Sequence, residues 1–197
     1  MRLSTHFRLH EMTRSQTATR MGLSNIPSDK EVDNLKALCK NVLEPVRVRY
    51  RVAFSPSSGY RSPALNDAIG GSSKSQHTKG EAVDFEVPHV SNLQVARWIE
   101  SNLLFDQLIL EHYVDTDPNS GWIHVSYTGT LSGNRRDVLR FDGVEYRHGI
   151  GDGETEAAFQ ALETMNFKMP GVTKRVTDRK GFVLRNFTRD FASLWSK

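Results

Sequence analysis

Residues 75–84 constrain this chain more than any other stretch. They place His77 and Asp84 seven residues apart, with a glycine between them and an apolar, strand-like run around the aspartate. A second piece, residues 121–127, carries His124 in an alternating strand. Two imidazoles and one carboxylate make three protein ligands, and three ligands plus one open position is the composition of a catalytic zinc site. Spacing alone also admits the ordinary interpretation, in which each is a structural or surface residue.

Length and composition describe an ordinary folded protein. The chain has 197 residues, 38% of them hydrophobic and 25% charged, which suits one domain or one domain with an appendage. The single cysteine, Cys39, rules out an internal disulfide and lies among apolar residues as a buried thiol. No apolar run reaches the ~20 residues that span a bilayer. The N-terminus lacks the apolar core of a secretory signal, so we expect synthesis in the cytoplasm.

The charge is mildly basic, at +3 with a pI near 9.1. It favours an anionic polymer as partner, or simply reflects a well-solvated surface. Because no run of lysine and arginine is interleaved with aromatic residues, we expect no nucleic-acid partner.

Periodicity predicts an α+β domain: a small antiparallel sheet that carries the site, with helices packed on one side. Helices are expected at residues 4–22, 28–44, 63–69 and 91–103. Strands are expected at residues 46–54, 82–87, 107–114, 121–127, 134–141 and 144–146. Residues 149–153 have the composition of a linker. The chain therefore divides into a domain of residues 1–147 and a helical C-terminal extension of residues 148–197, whose aromatic residues either pack on the core or form a docking face.

Strand register nominates a further carboxylate. If residues 107–114 and 121–127 form a hairpin with a six-residue loop, Glu111 lies opposite His124, and opposed residues share a face of the sheet. A register slip of two in the pairing sum keeps that face, whereas a slip of one does not. Glu111 is thus placed either as a general base beside a metal site or as one half of an ordinary cross-strand ion pair.

These motifs resemble the metallopeptidases of the D-alanyl-D-alanine carboxypeptidase family, M15. Residues 75–84 match the family's Ser-x-His-x-x-Gly-x-Ala-x-Asp pattern at every defined position, and residues 58–62 resemble its upstream Ser-Gly-Tyr-Arg-Ser element. Residues 122–126 resemble the third-ligand strand of a phage and bacterial subgroup. The resemblance covers about residues 3–147 and implies a fold that Hedgehog-type domains share.

The resemblance implies a role for each matching residue. His77, Asp84 and His124 would bind one zinc ion per chain. Arg61 would stabilise the oxyanion on the scissile carbonyl, and Ser75 and Gln76 would line the substrate groove.

One departure concerns the catalytic acid. Better-known members carry it three residues before the third ligand, where this chain has Gly121. The base must therefore come from elsewhere, and register nominates Glu111.

The implied reaction is hydrolysis of peptide bonds in the stem peptides of bacterial peptidoglycan. A carboxypeptidase and an L-alanyl-D-glutamate endopeptidase share these ligands, so the bond stays open. Without a signal peptide, we expect a phage lysin that reaches the cell wall after release, or a lytic protein carried in a virion, whose C-terminal extension could contact other virion proteins. The rival interpretation is a zinc-stabilised structural or binding component without catalysis.

Overall fold

The computed structural model describes residues 1–114, 117 and 119–151. The predicted C-terminal helices lie outside this range. The α-helices are α1 (Leu9–Thr13), α2 (Gln16–Met21), α3 (Asp29–Leu38), α4 (Glu44–Tyr50), α5 (Pro63–Ala68) and α6 (Asn92–Asn102). A π-helical segment (Cys39–Leu43) joins α3 to α4, and 3₁₀ turns lie at Gln76–Lys79 and Leu131–Gly133. The strands are β1 (Ala82–Phe85), β2 (Gln107–Glu111), β3 (Trp122–Ser126), β4 (Asp137–Phe141) and β5 (Tyr146–His148).

The five strands form one sheet in the order β1-β3-β2-β4-β5. Side chains alternate between its two faces. One face carries the buried apolar residues Val83, Leu108, Leu110, Ile123 and Val125, and α6 packs against β2 and β3 on that side. The opposite face carries Asp84 and His124. The predicted α+β class is therefore confirmed, with the core on one face and the candidate site on the other.

The sheet is mixed rather than wholly antiparallel as predicted. β4 runs parallel to β2, with Gln107 opposite Asp137 and Glu111 opposite Phe141. The chain leaves β3, crosses past β2 and enters β4 from the same end as β2. The predicted return of β5 on β4 is confirmed, with Phe141 opposite Tyr146.

The predicted strand at residues 46–54 is wrong. Residues 44–50 are the helix α4, in which Val46 is fully buried while Val48 is 51% exposed. A strand would place both valines on one face, whereas a helix separates them. The helix predicted at residues 28–44 also does not end before Pro45. A π-helical segment leads into α4, and Pro45 lies in the first turn of α4, where a proline is tolerated.

The structure also describes the predicted N-terminal helix and the predicted linker. Gly22 closes α2 in the left-handed conformation, as expected, although residues 4–22 hold two short helices instead of one. Ile150, inside the predicted linker, is buried in the core. In the described residues, no helix is long and apolar enough to cross a bilayer.

Candidate metal centre

Three elements bring His77, Asp84 and His124 together. His77 lies in the 3₁₀ turn that precedes β1, Asp84 lies in β1, and His124 lies directly opposite Asp84 in β3. One potential ligand atom from each side chain lies within 4.8 Å of the others. All three residues are buried, with exposed fractions of 3%, 7% and 9%. Sequence spacing nominated these residues, and the β1–β3 register explains why the two distant ones meet.

Hydrogen bonds orient both imidazoles toward this cluster. His77 Nδ1 lies 2.6 Å from the carbonyl oxygen of Gly59. A carbonyl only accepts, so Nδ1 carries the proton and Nε2 presents its lone pair to the cluster. That Nε2 lies 3.2 Å from Asp84 Oδ1, and His124 Nδ1 lies 2.8 Å from the same oxygen. Two nitrogen donors and one oxygen donor, turned inward by their neighbours, fit a zinc ion.

The electrostatics favour the protonation states that a metal requires. Burial lowers the pKa of His77 and so favours the neutral imidazole. Burial opposes ionisation of Asp84, but its interactions with His77 and His124 outweigh burial and hold the pKa of that carboxyl well below its usual range. Metal ligands bind as neutral imidazoles and ionised carboxylates. The pair therefore already occupies the binding form near neutral pH.

Arg61 anchors the second oxygen of Asp84. Its Nη2 donates to Asp84 Oδ2 at 2.7 Å, and its Nε donates to Ser58 Oγ at 2.8 Å. The backbone N–H of Arg61 also donates to the carbonyl of His77 at 3.2 Å. The guanidinium is thus held at the edge of the cluster while Asp84 Oδ1 stays turned toward the imidazoles.

Glu111 reaches the same pocket in a register that differs from the predicted one. Ile109, not Glu111, lies opposite His124, and Glu111 lies opposite Trp122. The predicted direct pairing is wrong because β2 ends at Glu111 and the connection to β3 is longer than six residues. The pairing sum changes by two, so Glu111 keeps the face of His124. Burial raises the pKa of Glu111, and the neighbouring His124 counteracts part of that rise.

Gly121 shows why an acid cannot stand three residues before His124. Its φ is +66°, a conformation that favours glycine. A Cβ there would run into the backbone carbonyl oxygen of Glu111 and lie 2.7 Å from the carbonyl carbon of His112. Because the chain turns this tightly into β3, any side chain at position 121 is excluded. The departure from the family pattern is therefore built into the backbone.

The cluster opens into a pocket of about 400 Å³. Its lining comprises Arg61, Ser72, Lys74, Ser75, Gln76, His77, Asp84, Gln107, Ile109, Glu111, Trp122, His124 and Tyr146. All seven residues singled out from the sequence are among them. Sequence reasoning missed Gln107 and Trp122, although alternation from Glu111 and His124 places both on this face. Tyr146 carried no sequence signal, since only the β4–β5 hairpin brings it to the pocket.

Comparison with known protein families gives one result. The family model described as Peptidase M15 matches residues 5–126, more than half of the chain. The chain therefore belongs to the peptidase M15 family, and its activity class is that of a peptidase. A search of curated proteins finds no significant match. The three clustered residues, Arg61 and Glu111 lie inside the matched range, whereas Tyr146 lies beyond it.

Proposed function

We propose that this protein is a zinc-dependent peptidase that hydrolyses peptide bonds in the stem peptides of bacterial peptidoglycan. The observation that carries the proposal is the convergence of His77, Asp84 and His124 ligand atoms within 4.8 Å, in a pocket that Glu111 and Arg61 also line. A bound zinc ion would polarise the scissile carbonyl and make water acidic enough to lose a proton near neutral pH.

Glu111 is assigned the proton transfers. Its carboxylate faces the pocket from β2, two residues beyond Ile109, which lies opposite His124. It would take a proton from the attacking water and return it to the nitrogen of the leaving amine. The raised pKa of the carboxyl brings it closer to the operating pH, which improves its ability to give the proton back.

Arg61 is assigned the developing negative charge on the carbonyl oxygen. Because its guanidinium is already fixed by Asp84 and Ser58, it needs little reorganisation when that charge forms. Ser75 and Gln76 line the same pocket and are assigned to substrate binding.

The substrate class rests on the resemblance of residues 75–84 and 122–126 to enzymes that act on D-amino-acid-containing peptides. A basic chain, with a net charge of +3, suits an anionic cell-wall polymer. We further propose that the protein acts as a phage lysin or as a lytic component of a virion.

A peptidoglycan digest tests the proposal. Purified cell wall is incubated with zinc-loaded protein, with chelated protein and with a His77→Ala variant, and the soluble products are weighed by mass spectrometry. Peptide fragments that form only with the zinc-loaded parent are expected, and their masses name the bond that is cut. If a protein that still holds one zinc ion per chain forms no products, the peptidase proposal is refuted and the protein is interpreted as a zinc-stabilised structural or binding component.

A further inference from the structure

Two glutamines, Gln76 and Gln107, line the pocket, and the hydrogen bonds of their side chains indicate which part of a substrate they can contact. Gln76 Nε2 donates to Asp106 Oδ2 at 2.9 Å, and Gln107 Nε2 donates to Asp137 Oδ2 at 2.9 Å. An ionised carboxylate only accepts hydrogen bonds, so each amide must turn its NH₂ group toward the aspartate. The carbonyl oxygen of each glutamine is then the atom left for other partners.

The aspartate behind Gln76 is itself fixed. Asp106 is 3% exposed and accepts from Arg135 Nε at 2.7 Å and from Arg135 Nη2 at 2.9 Å. These hydrogen bonds from Arg135 are the main reason that the pKa of Asp106 is lowered, so it is ionised at neutral pH. The NH₂ group of Gln76 is therefore committed to the Asp106 carboxylate.

Gln107 is held from two sides. Its backbone N–H donates to Ser126 Oγ at 3.0 Å, and its side-chain amide is tied to Asp137, which lies opposite it in β4. Among the residues that the structure describes, no donor contacts the Oε1 atom of Gln107 or of Gln76. Both oxygens belong to residues of the pocket lining.

The position of Gln107 along β2 sets what the acceptor pair can contact. Gln107, Ile109 and Glu111 share one face, and Ile109 lies opposite His124. At about 3.3 Å per residue, Gln107 and Glu111 flank that position by about 6 to 7 Å on either side. The pocket thus has a proton-transfer end at Glu111 and an acceptor end at Gln107 and Gln76.

We infer that Gln76 and Gln107 accept hydrogen bonds from N–H groups of the substrate within about two residues of the scissile bond. The N–H groups belong either to an ammonium group on a side chain or to the peptide backbone. This inference rests on the proposed function and names a feature of the substrate that the proposed function does not specify. Asp137 and Arg135 lie beyond residue 126, so the chain that follows the family match sets this preference.

The test measures binding of two synthetic stem peptides by calorimetry. They are identical except that one carries lysine and the other carries norleucine, which lacks the amine, next to the scissile bond. Zinc-loaded full-length protein with the Glu111→Gln substitution keeps both peptides intact. Gln107→Leu is then added to this background, because it keeps the bulk of the side chain and removes the acceptor.

Loss of one hydrogen bond to a charged donor should weaken binding by about tenfold or more. A loss confined to the lysine peptide identifies the ammonium group, and an equal loss for both peptides identifies the backbone N–H. Unchanged affinity for both peptides, or no binding by the parent, overturns the inference.

A role swap separates an acceptor from a merely structural glutamine. In the double variant Gln107→Glu with Asp137→Asn, the hydrogen bond between the two positions persists with its donor reversed, and an acceptor still faces the pocket. Binding is expected to return to within about threefold of the parent. Weak binding by this double variant overturns the inference. The double variant also decides the question if Gln107→Leu fails to fold.

Cleavage by the protein without the Glu111→Gln substitution is scored on the same two peptides. If the protein does not cleave the peptides but its binding still depends on Gln107, the peptidase proposal is refuted and the acceptor role of the two glutamines is retained. If the protein cleaves them and its binding does not depend on Gln107, the peptidase proposal is supported and the acceptor role is refuted.

Discussion

Glu111→Gln is the substitution that examines the catalytic assignment most directly. It replaces the carboxylate with an amide of nearly the same shape, so the β2–β3 register, with position 111 opposite Trp122, should persist. General base catalysis typically contributes about 10²- to 10⁴-fold in rate, which corresponds to about 3 to 5 kcal/mol of transition-state stabilisation. We expect kcat to fall by that factor while zinc content stays at the parent's value.

The pH profile gives the same assignment a second readout. Burial raises the pKa of Glu111, so in the parent the acidic limb of kcat/KM should lie above the ~4.3 of an ordinary glutamate. A carboxyl whose pKa is raised by folding binds its proton more tightly when folded, so its contribution to stability is largest at low pH and is lost as pH rises through the raised value. The amide stays neutral throughout, so the variant should melt no lower than the parent near pH 7.

The assay follows stem-peptide cleavage by mass spectrometry between pH 5 and pH 9, with zinc content measured on each sample. Glu86→Gln is the matched control, because Glu86 is an exposed glutamate at the end of β1 and loses the same charge. A Glu111→Gln protein whose kcat lies within a few-fold of the parent's value would refute the assignment of Glu111 as the general base. Loss of zinc from that variant would show that the carboxylate acts on the metal site instead.

Three other predictions concern the cluster and its backbone. Asp84→Asn should lower the free energy of unfolding by about 3 kcal/mol in metal-free buffer, because it leaves the partly buried Arg61 without its charge partner. Urea denaturation measures this cost, and Asp33→Asn, in an exposed pair with Lys36, should cost under about 1 kcal/mol. In metal-free protein, ¹⁵N NMR should find His77 mainly neutral at pH 6.5, where a free imidazole is about half protonated; a half-protonated ring would contradict its lowered pKa. Gly121→Ala should cost clearly more in urea denaturation than Gly22→Ala, since both have a positive φ but only position 121 is crowded; equal costs would contradict the close contact with Glu111.

The residues of the cluster could be predicted from the sequence because residues 75–84 match the Ser-x-His-x-x-Gly-x-Ala-x-Asp pattern and residues 122–126 resemble the third-ligand strand. Asp84 and His124 need only the β1–β3 pairing to meet, because alternation puts both on one face, and His77 joins them from the 3₁₀ turn that precedes β1. Glu111 was found for a related reason, since the parity of a strand survives an error of two in the pairing sum. The assumed six-residue loop was wrong, because β2 ends at Glu111 and the chain turns tightly at Gly121 before it enters β3.

Other features could not be read from local patterns. The alternation of apolar and arginine residues at 46–54 is that of a strand, yet burial of Val46 and exposure of Val48 follow from the continuation of a long helix against the core. The parallel pairing of β4 with β2 depends on how the chain crosses the sheet, which no local spacing records. The partners of Gln107 and the placement of Tyr146 follow from that pairing and were missed with it.

The place of β2 inside the sheet also determines where this protein can be shortened. β2 has β3 on one side and β4 on the other, so both rows of its backbone groups face a neighbouring strand. A protein ended at residue 126, the last residue of the family match, would lack β4 and leave one side of β2 open. An open strand edge invites pairing with other molecules and aggregation. The smallest unit worth expressing therefore extends through β5 and the buried Ile150, beyond the limit that family membership alone would suggest.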